Sequence, residues 1–231
     1  ESGLSSDRPK TSKAENPESR ETARPPKAIP SVHPKVVPPA LRAGSGFFRV
    51  RWQDIPRDTV HHDDIAQAVR QLAEQLIQQS IMVVTAESCT GGGIAQALTA
   101  LAGSSRWFER GFVTYSNEAK QEMLGVQSAT LERTGAVSED TALEMALGAV
   151  RHSRGQVSMA VTGIAGPEGG SPDKPVGTVW IAWGHHTGQA EAQCFHFSGD
   201  RDAVRQQTIV EAIRGLNARL KSPQSSSFTG P

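Results

Sequence analysis

Four short segments hold the side chains that could do chemistry. The first, Ser88-Cys89-Thr90, ends an apolar β-branched run and opens into Gly91, Gly92 and Gly93. A buried strand that stops at a hydroxyl and a thiol, then enters a helix through glycines, sets side-chain nucleophiles beside bare backbone amides. The others are Tyr115-Ser116-Asn117 with Lys120, the run Thr162-Gly163-Ile164-Ala165-Gly166-Pro167, and Ser198-Gly199-Asp200-Arg201. Ser and Thr are also ordinary helix caps and glycines ordinary turn residues, but four such segments at strand ends are hard to explain as turns alone.

A serine nucleophile needs a base. His61 and His62 precede the first helix, His152 ends a helix, His185 and His186 sit in a hairpin, and only His196 comes near the last segment, so a Ser-His-Asp triad is disfavoured. Lys120 is the better base for Ser88, provided burial or a nearby cation lowers its pKa toward neutrality. Tyr115, the single tyrosine, could orient that lysine, shuttle a proton or stack on a ring. Cys89 rivals Ser88, because thiolates attack amides well and a helix amino terminus favours the thiolate; Ser88 is preferred without a decisive argument. Amides over Thr90, Gly91 and Gly92 are candidates for an oxyanion. Asn117, Thr162 and Gly163 are candidates for substrate contacts, and Arg201 offers a forked donor suited to phosphate beside the glycine run 163–170. There is no Gly-Lys-Ser or Gly-Lys-Thr, and Gln96 stands where the dinucleotide fingerprint needs its last glycine. No HExxH or CxxC occurs, and His61, His62, Asp63 and Asp64 lie at a boundary, so neither a metal nor a cofactor is expected.

The elements that must position these groups follow from periodicity. Ile65, Val69, Leu72 and Leu76 share one helical face, with Asp63 or Asp64 placed to cap it. Strands are expected over 81–86, 112–115, 157–161, 179–183 and 192–197, and helices over 91–102, 117–124, 138–151 and 202–220. Strands alternating with helices predict an α/β fold: a layered single domain whose mixed, mostly parallel sheet is flanked by helices, with a hairpin near Gly184 to Gly188. Ligands bind such sheets in the crevice at the strands' carboxyl ends, where the four segments would converge.

Composition limits the partners. The 231 residues carry 24 basic and 24 acidic side chains, which argues against a nucleic-acid partner. No stretch approaches the ~18 apolar residues of a membrane span; two unpaired cysteines suit a reducing compartment, and a cytoplasmic protein is expected. Residues 1–62 hold eight of fourteen prolines before position 40 and few apolar residues, so they are expected to be a disordered arm containing a short apolar island, FFRVRW, at 47–52. The folded domain should span 63–221, with a flexible tail over 222–231. Trp107 and Phe108 either line a subunit contact or pack in the core.

The segments AESCTGG, GFVTYSNEAK, GAVSE, VTGIAGPEGG, KPVGTVW and FSGDRDAVR, in this order over about residues 64–220, together resemble the CinA carboxy-terminal domain family. The resemblance implies hydrolysis of the carboxamide of nicotinamide mononucleotide to nicotinate mononucleotide and ammonia, a salvage step. It implies a Ser88–Lys120 pair, Tyr115 and Thr162 in the site, Arg201 at the ligand, a small nucleotide as the partner, and a homo-oligomer. Two alternatives stand beside it: a nucleotide-binding or regulatory module without chemistry, and a serine-lysine amidase for another small amide.

Overall fold

A computed structural model of the chain describes residues 62–221. The proline-rich arm with its apolar island and the tail over 222–231 lie outside the described residues. In chain order the elements are α1 (His62–Gln78), β1 (Val83–Glu87), α2 (Gly93–Thr99), a 3-10 turn (Ser104–Arg106), β2 (Phe108–Val113), α3 (Asn117–Leu124), α4 (Ser128–Thr134), α5 (Glu139–Arg151), β3 (Val157–Gly163), β4 (Thr178–His185), β5 (Ala190–His196) and α6 (Arg201–Lys221).

The five strands form one mixed sheet in the order β2-β1-β3-β4-β5. β1 pairs in parallel with both β2 and β3, whereas β3–β4 and β4–β5 are antiparallel, the last pair being the expected hairpin. Parallel pairings are thus half rather than most of the sheet, because that hairpin adds a second antiparallel ladder. The chain leaves β1 toward β2 on one side and reaches β3 on the other, and such a reversal opens a crevice at the strands' carboxyl ends. With β4 running back and β5 forward again, the residues that follow β1, β2, β3 and β5 all emerge at that one edge.

Two apolar layers hold the sheet. On one face Val83, Val157, Met159, Val161, Ile181 and Trp183 pack with Leu72 and Leu76 of α1, Ile94 and Leu98 of α2, and Ile213 and Leu216 of α6. On the other, Val84, Ala86, Ala160 and Ala182 meet Leu124, Leu131 and the α5 residues Ala142, Met145, Ala146 and Ala149. The small residues on this second face let α5 sit close. At Gly148 an added Cβ would collide with the Leu124 carbonyl.

Three expectations need revision. β2 begins at Phe108 rather than 112 and stops before Tyr115; it is an edge strand, so the charged pair Glu109–Arg110 can sit within it, with Arg110 exposed and Glu109 partly covered. α4 was not expected, since only Thr130 and Leu131 of its seven residues are buried and no side chain caps it. Asp63 and Asp64 lie inside the first turn of α1 rather than at its cap. Trp107 is buried and Phe108 packs against the same apolar layer, so the two belong to the core.

Candidate active site

β1 delivers the Ser88-Cys89-Thr90 segment. The Ser88 amide continues the ladder by donating to the Val161 carbonyl at 3.0 Å, and the Ser88 carbonyl accepts from the Gly91 amide at 3.0 Å, closing a tight turn. Gly91 and Gly92 have φ of 59° and 92°, left-handed values that disfavour any side chain. Successive side chains alternate across a strand. Val83 and Cys89 accordingly fall in the layer toward α2 and α6, and Ala86 in the layer toward α3 and α5. Ser88 shares the parity of Ala86 and meets a side chain from α3.

That side chain is Lys120. Ser116 caps α3, its hydroxyl accepting from the Ala119 amide at 3.0 Å, and Gly125 ends the helix with φ of 70°. One turn in, Lys120 points back to the end of β2, where Nζ donates to the Thr114 carbonyl at 2.8 Å and to Ser88 Oγ at 3.1 Å. Lys120 is only 1% exposed and Ser88 9%. Burial pulls the Lys120 ammonium below its usual range, opposed by the charge of the nearby Cys89 thiolate when it forms. Burial also pushes the Cys89 thiol up to about 12. A thiol at that value is almost wholly protonated at neutral pH, and as such it is a poor nucleophile.

A cavity of about 270 Å³ opens over the pair and is lined by Ser88, Cys89, Tyr115, Lys120, Thr162, Gly163, Glu168 and Arg201, together with Ala136, Val137, 164–166 and Gly169. Arg201, the first residue of α6, donates to the Tyr115 hydroxyl at 3.0 Å and to the Gly166 carbonyl at 2.8 Å. Tyr115 is 62% exposed and forms the rim with Arg201. The Thr162 hydroxyl donates to the Ala136 carbonyl at 2.7 Å, fixing the α4–α5 turn as a wall. Gly163 is a packing requirement, since a Cβ there would stand 2.7 Å from Val179 Cγ2. A larger cavity of about 320 Å³ lies at the far end of the sheet beside His185 and His186, away from Ser88 and Lys120.

Thr90, Gly91, Gly92 and Asn117 lie outside the cavity lining. Thr90 is fully buried, its hydroxyl donating to Glu87 at 2.7 Å and its carbonyl accepting from Arg205 at 2.7 Å. Asn117 is exposed in the first turn of α3. The amino end of α2 is also occupied: the Ile94 and Ala95 amides donate to the two Glu87 carboxylate oxygens at 2.9 and 2.8 Å, and the Thr85 hydroxyl adds a fourth bond at 3.2 Å. Glu87, wholly buried, therefore clamps the turn that carries Ser88, a role sequence reasoning missed. Its signal was present as a lone acid closing an apolar strand six residues before a glycine-opened helix. Arg205 and the 136–137 wall carried no comparable signal. Among the described residues no cluster of three or more His, Cys, Asp or Glu could hold a metal ion, and no helix is long and apolar enough to cross a membrane.

Comparison with known proteins places this chain in a family. Residues 65–220 match the model of the CinA C-terminal domain. Over 153 residues the chain is 50% identical to nicotinamide-nucleotide amidohydrolase PncC of Escherichia coli strain K12, covering 66% of this chain and 93% of that protein. It is 49% identical over 154 residues to the protein of the same name from Pseudomonas putida, covering 67% and 96%. Among solved structures, the competence/damage inducible protein CihA from Agrobacterium tumefaciens superposes with a TM-score of 0.67 at 47% identity, covering 69% of this chain and 96% of that one. The chain belongs to the CinA C-terminal domain family.

Proposed function

We propose that this domain hydrolyses the carboxamide of nicotinamide mononucleotide to nicotinate mononucleotide and ammonia, with Ser88 as nucleophile and Lys120 as its base. The names of the related amidohydrolases support the substrate class. The observation that carries the mechanism is the 3.1 Å approach of Lys120 Nζ to Ser88 Oγ in a buried setting where the other contact of the amine is the Thr114 carbonyl rather than an acid. A neutral amine held there donates one N–H to Thr114 and turns its lone pair to the serine hydroxyl.

Lys120 takes the Ser88 proton as Oγ bonds to the carboxamide carbon. The ammonium so formed returns that proton to the amide nitrogen, the C–N bond breaks, ammonia leaves, and a nicotinoyl ester remains on Ser88. Water then attacks the ester, giving its proton to Lys120, and the serine leaves as the hydroxyl. Within 88–95, the Ser88, Gly91, Gly93, Ile94 and Ala95 amides are bonded to Val161, Ser88, Thr90 and Glu87, and of the remaining three only Cys89 lines the cavity, so its amide is the one assigned to the oxyanion. Arg201 at the rim is assigned to the phosphate. The reading carries with it a cytoplasmic enzyme that assembles from identical subunits, which light scattering measures.

Ammonia release tests the proposal. The wild-type protein should deamidate nicotinamide mononucleotide in preference to free nicotinamide. Ser88→Ala should lose turnover while still binding the nucleotide. Full activity in that variant overturns the mechanism, and wild-type protein that binds the nucleotide without releasing ammonia favours a regulatory module.

A further inference from the structure

The cavity holds a second, unexplained charge. Glu168 is the one carboxylate in its lining, it is exposed, and it makes no hydrogen bond or ion pair among the described residues. Arg201 reaches the same loop, bonding to the carbonyl of Gly166 two residues away, yet its guanidinium goes to that carbonyl and to Tyr115 rather than to Glu168. The loop itself is anchored. Ile164 and Thr178 are joined at 2.9 Å, Gly177 and Ile164 at 2.8 Å, and Lys174 Nζ ties its outer part to the Thr134 and Val137 carbonyls at 3.0 and 2.7 Å.

A carboxylate and a guanidinium that line one small cavity without pairing fit a ligand that carries both charges. We propose that Glu168 recognises the positive charge of the N-glycosylated pyridinium ring, and so discriminates the nucleotide from neutral pyridine carboxamides. This rests on the function proposed above. Free nicotinamide has an uncharged ring, and bonding of the ring nitrogen to ribose creates the cation. With the carboxamide at Ser88 and the phosphate at Arg201, the ring is the group left for the wall formed by 163–169. An unpaired carboxylate there lowers the free energy of a cation and gives nothing to a neutral ring. Tyr115 at the rim adds an aromatic face that also favours a cation.

The test compares nicotinamide mononucleotide with its dihydro form, which keeps the carboxamide, ribose and phosphate but has a neutral ring. Calorimetry on Ser88→Ala protein, with and without Glu168→Gln, measures binding without turnover at low salt. Glu168→Gln should weaken the cationic ligand about threefold to fivefold, the range of a partly solvated ion pair, and leave the dihydro form unchanged. In the wild-type background it should raise KM for nicotinamide mononucleotide by the same factor without changing kcat. Equal weakening of both ligands, or of neither, overturns the assignment while wild-type ammonia release leaves the function standing. No ammonia release and no binding of either ligand removes both.

Discussion

The Glu87 clamp makes a quantitative prediction. Glu87→Gln preserves shape, but one carboxylate oxygen, which accepts either Ile94 N and Thr90 Oγ1 or Ala95 N and Thr85 Oγ1, becomes an NH₂. The hydroxyl facing that NH₂ can rotate and accept. The backbone amide cannot, and is left as a buried donor without an acceptor. An unsatisfied buried donor costs about 1–3 kcal/mol and each lost charge-assisted bond about 1.5–3 kcal/mol, partly offset because a buried carboxylate no longer has to be desolvated. The net loss should be about 2–4 kcal/mol. For a domain of this size that lowers Tm by roughly 5–15 °C. Because Ser88 immediately follows Glu87 and its turn is held by the same bonds, activity should also fall, by about a hundredfold for a displacement near 1 Å. Thermal and urea denaturation followed by circular dichroism, with ammonia release on the same preparations, measure both. A Glu87→Gln protein with wild-type Tm and turnover would refute the clamp.

Other consequences follow from the same geometry. The rate at limiting nucleotide should rise with pH through an apparent pKa below the 10.5 of an ordinary lysine, because burial lowers that of Lys120 and only the neutral amine is a base; a pH–rate profile with no rising limb anywhere below that value would refute the base assignment. Since the folded pKa lies below the unfolded one, the unfolded chain binds this proton more readily, so stability is lost as pH falls from the unfolded value through the folded one. Lys120→Met should therefore abolish activity yet leave the protein at least as stable at neutral pH, as urea unfolding measures. Cys89→Ala should keep activity within about threefold and cost about 1–2 kcal/mol for a small buried side chain; activity lost only in this variant would transfer the nucleophile's role to the thiol. A chain beginning at residue 62 should deamidate nicotinamide mononucleotide as the full chain does, as ammonia release measures.

Much of this architecture was legible because β1 continues an apolar β-branched run that leads into glycines and β3 is an apolar run that ends at Gly163. The run 157–161 and the capped helix from Ser138 are patterns that local chemistry alone specifies, and the structure keeps both nearly unchanged. The pairing of Ser88 with Lys120 was within reach for a similar reason: Ser116 and Gly125 set the ends of α3, and one turn of helix then aims residue 120 at the end of β2. What local pattern could not reveal is which polar groups are already taken. The Thr162 hydroxyl is bound by a carbonyl 26 residues away, and the α2 amides by Glu87. Likewise, an edge strand bearing Glu109 and Arg110 has no apolar alternation to announce its start.

The same partition explains why a serine rather than the adjacent cysteine meets the amine. Parity along β1 sends Cys89 toward α2 and α6, into an apolar layer with Ile94 and Ile209, where a thiol is a comfortable core residue and a thiolate is not. Ser88 goes to the opposite face, where the helix from Asn117 brings an amine that an apolar environment also discourages from ionising. One desolvating interior thus moves the two neighbouring pKa values in opposite directions: it raises that of the thiol, keeping it protonated, and lowers that of the lysine, favouring the neutral amine. Burying an amine costs stability, and the Thr114 carbonyl recovers only one hydrogen bond of it. The two apolar layers on the sheet supply the surplus that lets a fold hold such a group at its site.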